Sequence, residues 1–265
     1  IGQSGSEPGQ LQAPRGMAMA ADGSLYVADS RNQRIQHFAA DGTLISAWGI
    51  FGETTSTETA AGGTFNEPWD VAVGPDGSVY VTDTWNHRIQ KFTAEGQFVT
   101  TWGYFGQAET SDAFWGPRAL AFDSRGYLYV TDTGNKRVAV FTQDGQFVTQ
   151  FGSTGYEPGQ FDEQVGIAIN AEDQIFVADT WNQRVQVLQL DPATNEMSVV
   201  RTWDISGWYG QSLDNKPFID VDNQGHVFIT DPEGYRVLEF TEEGEFVRGW
   251  GDYSPSTDGF GLASG

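Results

Sequence analysis

The stretch VYVTDTWNHRIQKF, residues 79–92, joins an apolar run to an Asp-x-x-Asn-x-Arg signature and then to a second apolar run. It returns with small changes as LYVADSRNQRIQHF from Leu25, LYVTDTGNKRVAVF from Leu128 and IFVADTWNQRVQVL from Ile175. A degenerate copy, VFITDPEGYRVLEF, starts at Val227. The signature arginines, Arg34, Arg88, Arg137, Arg184 and Arg236, follow one another at 54, 49, 47 and 52 residues. Such a period marks a repeat array in which every unit adds its own core. The 265 residues therefore read as one domain, although that length alone suggests more than one.

Each unit keeps the same internal order. A short apolar run follows a Pro in PRGMAMA from Pro14, PWDVAV from Pro68, PRALAF from Pro117 and PFIDV from Pro217; the fourth copy, QVGIAI from Gln164, lacks the Pro. A turn containing Gly23, Gly77, Gly126 or Gly225 leads to the signature run. A second turn (AADG, TAEG, TQDG or TEEG) precedes a last run closed by Trp48, Trp102, Phe151, Trp203 or Trp250. Short runs punctuated in this way are β-strands, and no window holds helical spacing long enough for a helix. The first two strands, as in Val71–Val73 and Val79–Val81, are apolar on both faces, whereas a strand with one wet face alternates. A sheet buried on both sides must be packed between copies of itself. The fold class predicted is an all-β propeller of four-stranded antiparallel blades with the first strand innermost. Five complete repeats are read at 5–49, 64–103, 114–152, 160–204 and 213–251, and 258–265 as the start of a sixth.

A catalytic set is not built five times in one chain, so the signature reads as stitching. Asp29, Asp83, Asp132, Asp179 and Asp231 are expected to accept backbone amides two or three residues on. Arg34, Arg88, Arg137, Arg184 and Arg236 are expected to bind those carboxylates or nearby carbonyls. Asn32, Asn86, Asn135 and Asn182 give way to Gly234 in the last copy. Asn and Gly share tolerance of positive φ, so this position is expected to be left-handed.

With FNEPWDVAVGPDGSVYV before it and GQFVTTWG after it, TDTWNHRIQKF resembles an NHL repeat. The resemblance covers nearly the whole chain and implies a propeller, usually of six blades. It implies a broad choice of functions: RNA- or protein-binding platforms, extracellular sensor domains, and a few enzymes such as the peptidylglycine amidating lyase. This chain departs from RNA-binding members in its acidity and from the lyase in lacking a convincing set of His ligands.

Fourteen basic residues against 36 acidic ones leave a net charge of −22. Such a surface repels phosphate backbones and anionic headgroups, so nucleic acid is not an expected partner. No apolar stretch is long enough to span a bilayer, so direct membrane insertion of this segment is not expected. The absence of Cys removes disulfides, thiolate ligands and a Cys nucleophile. His37, His87 and His226 occupy different registers of the repeat and are not expected to share a metal. Opening on Ile1, the chain is expected to be a piece of a larger extracellular, cell-surface or periplasmic protein.

In a propeller the signature loops share one face with the connections between blades, and extra loop length on a rigid scaffold is where binding concentrates. Trp85 and Trp181 stand at signature tips, where other copies have Arg31, Gly134 and Glu233. Trp69, Arg15, Arg118 and Phe218 follow the strand-opening Pro near the mouth of the channel, and Trp115 lies in a connection. Indoles beside polar groups suit a sugar or peptide. The candidate ligand-binding set is Trp69, Trp85, Trp115, Trp181, Arg15 and Arg118. The leading expectation is a non-catalytic module binding a glycan, peptide or partner protein through the loop face. One alternative is a metal-dependent lyase or lactonase-type hydrolase at the channel mouth, and another is a structural scaffold. No resident cofactor is expected beyond a Ca²⁺ in the channel, for which Asp70 is the one candidate ligand.

Overall fold

A computed structural model describes residues 2–107, 112–206, 208, 216–251 and 253. The start of a sixth repeat expected at 258–265 lies outside the described residues.

Five four-stranded antiparallel sheets follow one another along the chain, each with its strands in sequence order. Blade 1 is Pro14–Met19, Leu25–Asp29, Arg34–Phe38 and Leu44–Trp48. Blade 2 is Pro68–Val73, Val79–Asp83, Arg88–Phe92 and Phe98–Trp102. Blade 3 is Pro117–Phe122, Leu128–Asp132, Arg137–Phe141 and Phe147–Phe151. Blade 4 is Gln164–Ile169, Gln174–Asp179, Arg184–Leu190 and Met197–Asp204. Blade 5 is Ile219–Val221, His226–Asp231, Arg236–Thr241 and Phe246–Trp250. The first strands of successive blades pack side by side around a central channel, as a propeller requires.

Strand alternation explains why the inner strands are apolar throughout. Val79 and Val81 join Tyr26, Ala28 and Ile35 in the core between blades 1 and 2. Tyr80, on the opposite face, enters the core between blades 2 and 3 with Leu128, Val130 and Phe141. Blades 2, 3 and 4 thus each supply half of two cores. The indole at the end of a fourth strand lies over a turn glycine of the next blade, Trp102 on Gly145 for example, where φ is +77° and a side chain would meet the ring.

The signature ties each blade to the connection that enters it. Asp83 Oδ1 accepts the Asn66 amide at 2.7 Å, and Oδ2 accepts Asn86 Nδ2 (2.9 Å), Arg88 Nε (2.7 Å) and Gln90 Nε2 (3.0 Å). The rest of the Arg88 fork donates to the carbonyls of Ala60, Ala61 and Thr64. Asp29, Asp132 and Asp179 repeat the first bond with Gln12, Trp115 and Asp162. The amide thus comes from 17 residues upstream, not from two or three residues on as the sequence suggests. Only Asp231 among these five accepts the amide three residues on, from Gly234.

The left-handed residue is also displaced by one from the expected position. Gln33, His87, Lys136, Gln183 and Tyr235, each following the Asn or Gly, have φ between 52° and 56°. Asn instead spends its amide on the Asp carboxylate and on a connection carbonyl, as Asn86 does with Gly52. Gly234 therefore replaces an Asn hydrogen bond rather than a left-handed backbone.

The hydroxyl after the signature Asp joins blade to blade. Ser30, Thr84 and Thr133 donate to the carbonyls of Pro68, Pro117 and Gln164 in the next first strand. Blade 5 has Pro232 at this position, which cannot donate.

Removing Asp83 leaves the buried Arg88 guanidinium without its carboxylate. Asp83→Ala is expected to cost about 3–5 kcal/mol in urea denaturation. Asp231→Ala should cost clearly less, because Arg236 is 36% exposed where Arg88 is 2% exposed. Equal losses would contradict this account of the signature.

Candidate functional site

A one-residue bulge opens the first strands of blades 1 to 4, between Pro14 and Met17, Pro68 and Val71, Pro117 and Leu120, and Gln164 and Ile167. Bulges re-aim side chains, and these turn the residues after the strand-opening position toward the channel mouth. The residues just before the bulge are equally constrained: Ala13, Glu67 and Glu163 adopt positive φ of 46°, 51° and 54° without being glycine. Such backbone is held only where its surroundings enforce it.

The mouth gathers three of the candidate residues into one stack. The Trp69 ring lies between two guanidiniums, with Arg15 3.5 Å and Arg118 3.9 Å from its centroid. All three side chains are buried, Trp69 to 1% exposure. Arg118 reaches Glu163 at 3.6 Å, and the same carboxylate takes Lys136 at 3.5 Å and Lys216 at 3.4 Å. Lys136 also pairs with Asp162 at 3.1 Å. Both ammonium groups face the Trp181 ring, at 5.6 and 5.0 Å from its centroid. Burial pulls the Lys216 pKa down while Glu163 opposes it.

Lys136, Glu163 and Lys216 were not among the residues the sequence singled out. Lys136 occupies the left-handed position of a signature, which the repeat leaves free to vary. Lys216 is hidden by a register shift. Phe218 N donates to Thr230 Oγ1, the bond that Asp70 makes with Thr82 and Ala119 with Thr131. Phe218 therefore stands in the register of Asp70, not of Trp69, and Lys216 stands in the register of the strand-opening Pro. Aligning the prolines placed this copy one residue off.

Three indoles line the rim. Trp85, Trp115 and Trp181 are 43%, 44% and 37% exposed and belong to three successive blades. Trp85 and Trp181 stand at signature tips, and Trp85 Nε1 donates to Glu67 at 3.2 Å. Blade 3 has Gly134 at its tip, and the Trp115 ring packs over it, using the space a side chain would take. The connection thus supplies the indole that this tip lacks.

The channel itself encloses about 480 Å³ and is lined mainly by aliphatic side chains with Asp70, Asp220 and Thr230. Asp70 accepts the amides of Val71 and Leu120, at 2.8 and 2.9 Å. Burial pushes it up to about 7, against those two donors. Among the described residues no three of His, Asp and Glu come together as a metal donor set. Ca²⁺ takes six to eight oxygens, whereas both Asp70 oxygens face amide hydrogens and its surroundings are mostly aliphatic. The residues present do not fit the channel Ca²⁺. The histidines are engaged separately: His37 with Ser24, His87 with the Gly116 amide and His226 with Asp222.

Residues 11–38 and 65–92 match the NHL repeat model, and 117–199 match a model described as a 6-bladed beta-propeller. Peptidyl-glycine alpha-amidating monooxygenase A from Xenopus laevis is 38% identical over 101 residues, 37% of this chain. That match spans a tenth of the length of the Xenopus protein. Among solved structures, virginiamycin B lyase from Staphylococcus aureus aligns with a TM-score of 0.60 at 13% identity, covering 93% of this chain and 72% of its own. A gluconolactonase from Xanthomonas campestris aligns at 0.64 and 16%, covering 94% and 78%. At these identities the structural likeness establishes the fold alone.

An Asp whose folded pKa is raised binds more protons folded than unfolded, so its contribution to stability is lost as pH rises from about 4 to 7. Asp70→Asn should therefore be less destabilising near pH 8 than near pH 5, by up to about 3 kcal/mol. Urea denaturation at the two pH values measures this, and a pH-independent difference would mean that Asp70 is ionised throughout.

Proposed function

We propose that this NHL-repeat β-propeller is a ligand-binding module that captures an anionic glycan or peptide across its loop face. The observation that carries the reading is the arc of half-exposed indoles, Trp85, Trp115 and Trp181, beside a mouth where Arg118, Lys136 and Lys216 converge on Glu163. Indole rings offer flat apolar faces to a sugar ring or an apolar side chain. Cations gathered in a chain of net charge −22 create a local potential opposite to that of the surrounding surface. An anionic group is thereby directed to the mouth while the remainder of the ligand lies along the rim.

One observation favours a second reading, a lyase or lactonase-type hydrolase acting in the channel. Asp70, with a pKa of about 7, is poised to hold or release a proton near neutral pH. Both of its oxygens are taken by backbone amides, which leaves the carboxyl poorly placed to meet a substrate. Binding is therefore the preferred reading.

A panel of uronate- and sialate-bearing glycans and of peptides with free C-terminal carboxylates tests it. Trp85→Ala and Trp181→Ala should each weaken capture of the best probe about tenfold with melting temperature unchanged, and capture should weaken as salt rises. If both variants unfold early, the rings serve packing and the proposed surface is wrong. Capture that ignores salt would show that the mouth cations take no part.

A further inference from the structure

The end of the propeller opposite the signature loops has its own repeated device. Tyr26 Oη donates to the Ala94 carbonyl of the next blade, and Tyr80 Oη donates to that of Gln143. Beside the second bond, Lys91 Nζ lies 5.1 Å from the Tyr80 ring centroid and donates to Asp76 Oδ2 (3.1 Å) and to the Gln143 carbonyl (3.4 Å). On blade 3, Arg125 bonds Asp123 and Tyr129, whose ring packs in the core shared with blade 4. Between blades 4 and 5, Arg201 donates to the Glu242 carbonyl, in the turn position of Ala94 and Gln143, and to Gln174. A cation of the chain is thus seated at each of these three seams.

The seam between blades 1 and 2 differs. His37 pairs with Tyr26 in the register where Lys91 pairs with Tyr80, and it stacks on Tyr26 with centroids 4.0 Å apart and planes 11° apart. Its Nε2 is 2.8 Å from Ser24 Oγ, which lies 2.6 Å from Asp22 Oδ1. Ionised Asp22 can only accept, so Ser24 donates to it and His37 Nε2–H donates to Ser24. That leaves the Nδ1 lone pair of a ring that burial keeps neutral. Neither His37 Nδ1 nor Asp22 Oδ2, the counterpart of Asp76 Oδ2, has a hydrogen-bond partner among the described residues.

These groups border a cavity of about 710 Å³ between Met19, Ser24, His37 and Ser46 on one blade and Pro75 and Glu95 on the next. Ser46 Oγ is buried there without a partner. Among the described residues no Lys or Arg lines the cavity.

We propose that this cavity receives a primary alkylammonium group, which fills the place that Lys91 fills one seam along. Asp22 Oδ2, His37 Nδ1 and the second lone pair of the Ala94 carbonyl are acceptors for its three hydrogens. Glu95 adds negative potential, and Met19, Ile45 and Pro75 surround the alkyl stem. The group is carried either by a free alkylamine or by a lysine side chain of another protein.

The test titrates the protein with n-butylammonium and with Nα-acetyl-lysine N-methylamide while the ring resonances of its three histidines are followed by NMR. Nε-acetylated lysine amide is the uncharged control. Both ammonium probes should shift His37 selectively, and the control should not. His37→Phe keeps the stack but removes the acceptor, and Asp22→Asn keeps the turn but removes the charge. Each should weaken binding about tenfold, with melting temperature recorded for both. A tighter lysine amide identifies a protein side chain as the source, and a tighter butylammonium identifies a free amine. The proposal is overturned if His37 does not respond, if Asp22→Asn binds as the wild type does, or if the acetylated control binds equally well.

Discussion

A carboxylate taken fully out of water must be matched by donors, or the fold that buries it is lost. Asn86, Arg88, Gln90 and the Asn66 amide all donate to Asp83, opposing the burial that pushes its pKa up. Because one donor comes from the connection and the guanidinium spends its remaining hydrogens there, the pair cannot form unless the loop is in place. The same burial that penalises the charge therefore orders the loop face. The connections that carry Trp115 and Glu163, and the signature loops that carry Trp85, Lys136 and Trp181, are held by this network or its repeats.

Repetition supplies the frame, and departures from it supply the chemistry. Trp115 takes over the rim of the blade whose tip is Gly134. Lys136 and Lys216 use positions the frame leaves open, one left-handed loop residue and one strand-opening residue, to reach Glu163. His37 replaces the lysine that the neighbouring seam holds on its tyrosine. At Trp115, Lys136 and His37 the strands keep the register of the other blades, so the change lies in the side chains. A repeated scaffold can vary its ligands in this way at little cost to its cores.

The charge distribution has the same logic. A chain of net charge −22 places three of its cations about one glutamate at the channel mouth, under Trp181, and seats others at the seams. The acidic exterior keeps the surface hydrated and repels anions elsewhere.

Blade architecture, strand order and the structural nature of the signature were all legible in the sequence, because they rest on local periodicity and on a motif repeated at a near-constant interval. The exposed indoles were legible too, as large apolar residues at turn positions. The amide donor to Asp83 and the left-handed residue after Asn86 were not, because a hydrogen bond across 17 residues leaves no local pattern. Nor was the role of Lys216, since prolines were a poorer guide to register than the Thr230 bond. Above all, the meeting of Arg15 with Trp69 and of Lys136 with Glu163 was decided by tertiary structure alone. Packing blades side by side around one channel makes neighbours of residues such as Arg15 and Trp69, 54 positions apart, and Lys136 and Glu163, 27 apart, and only the folded arrangement shows which side chains share that space.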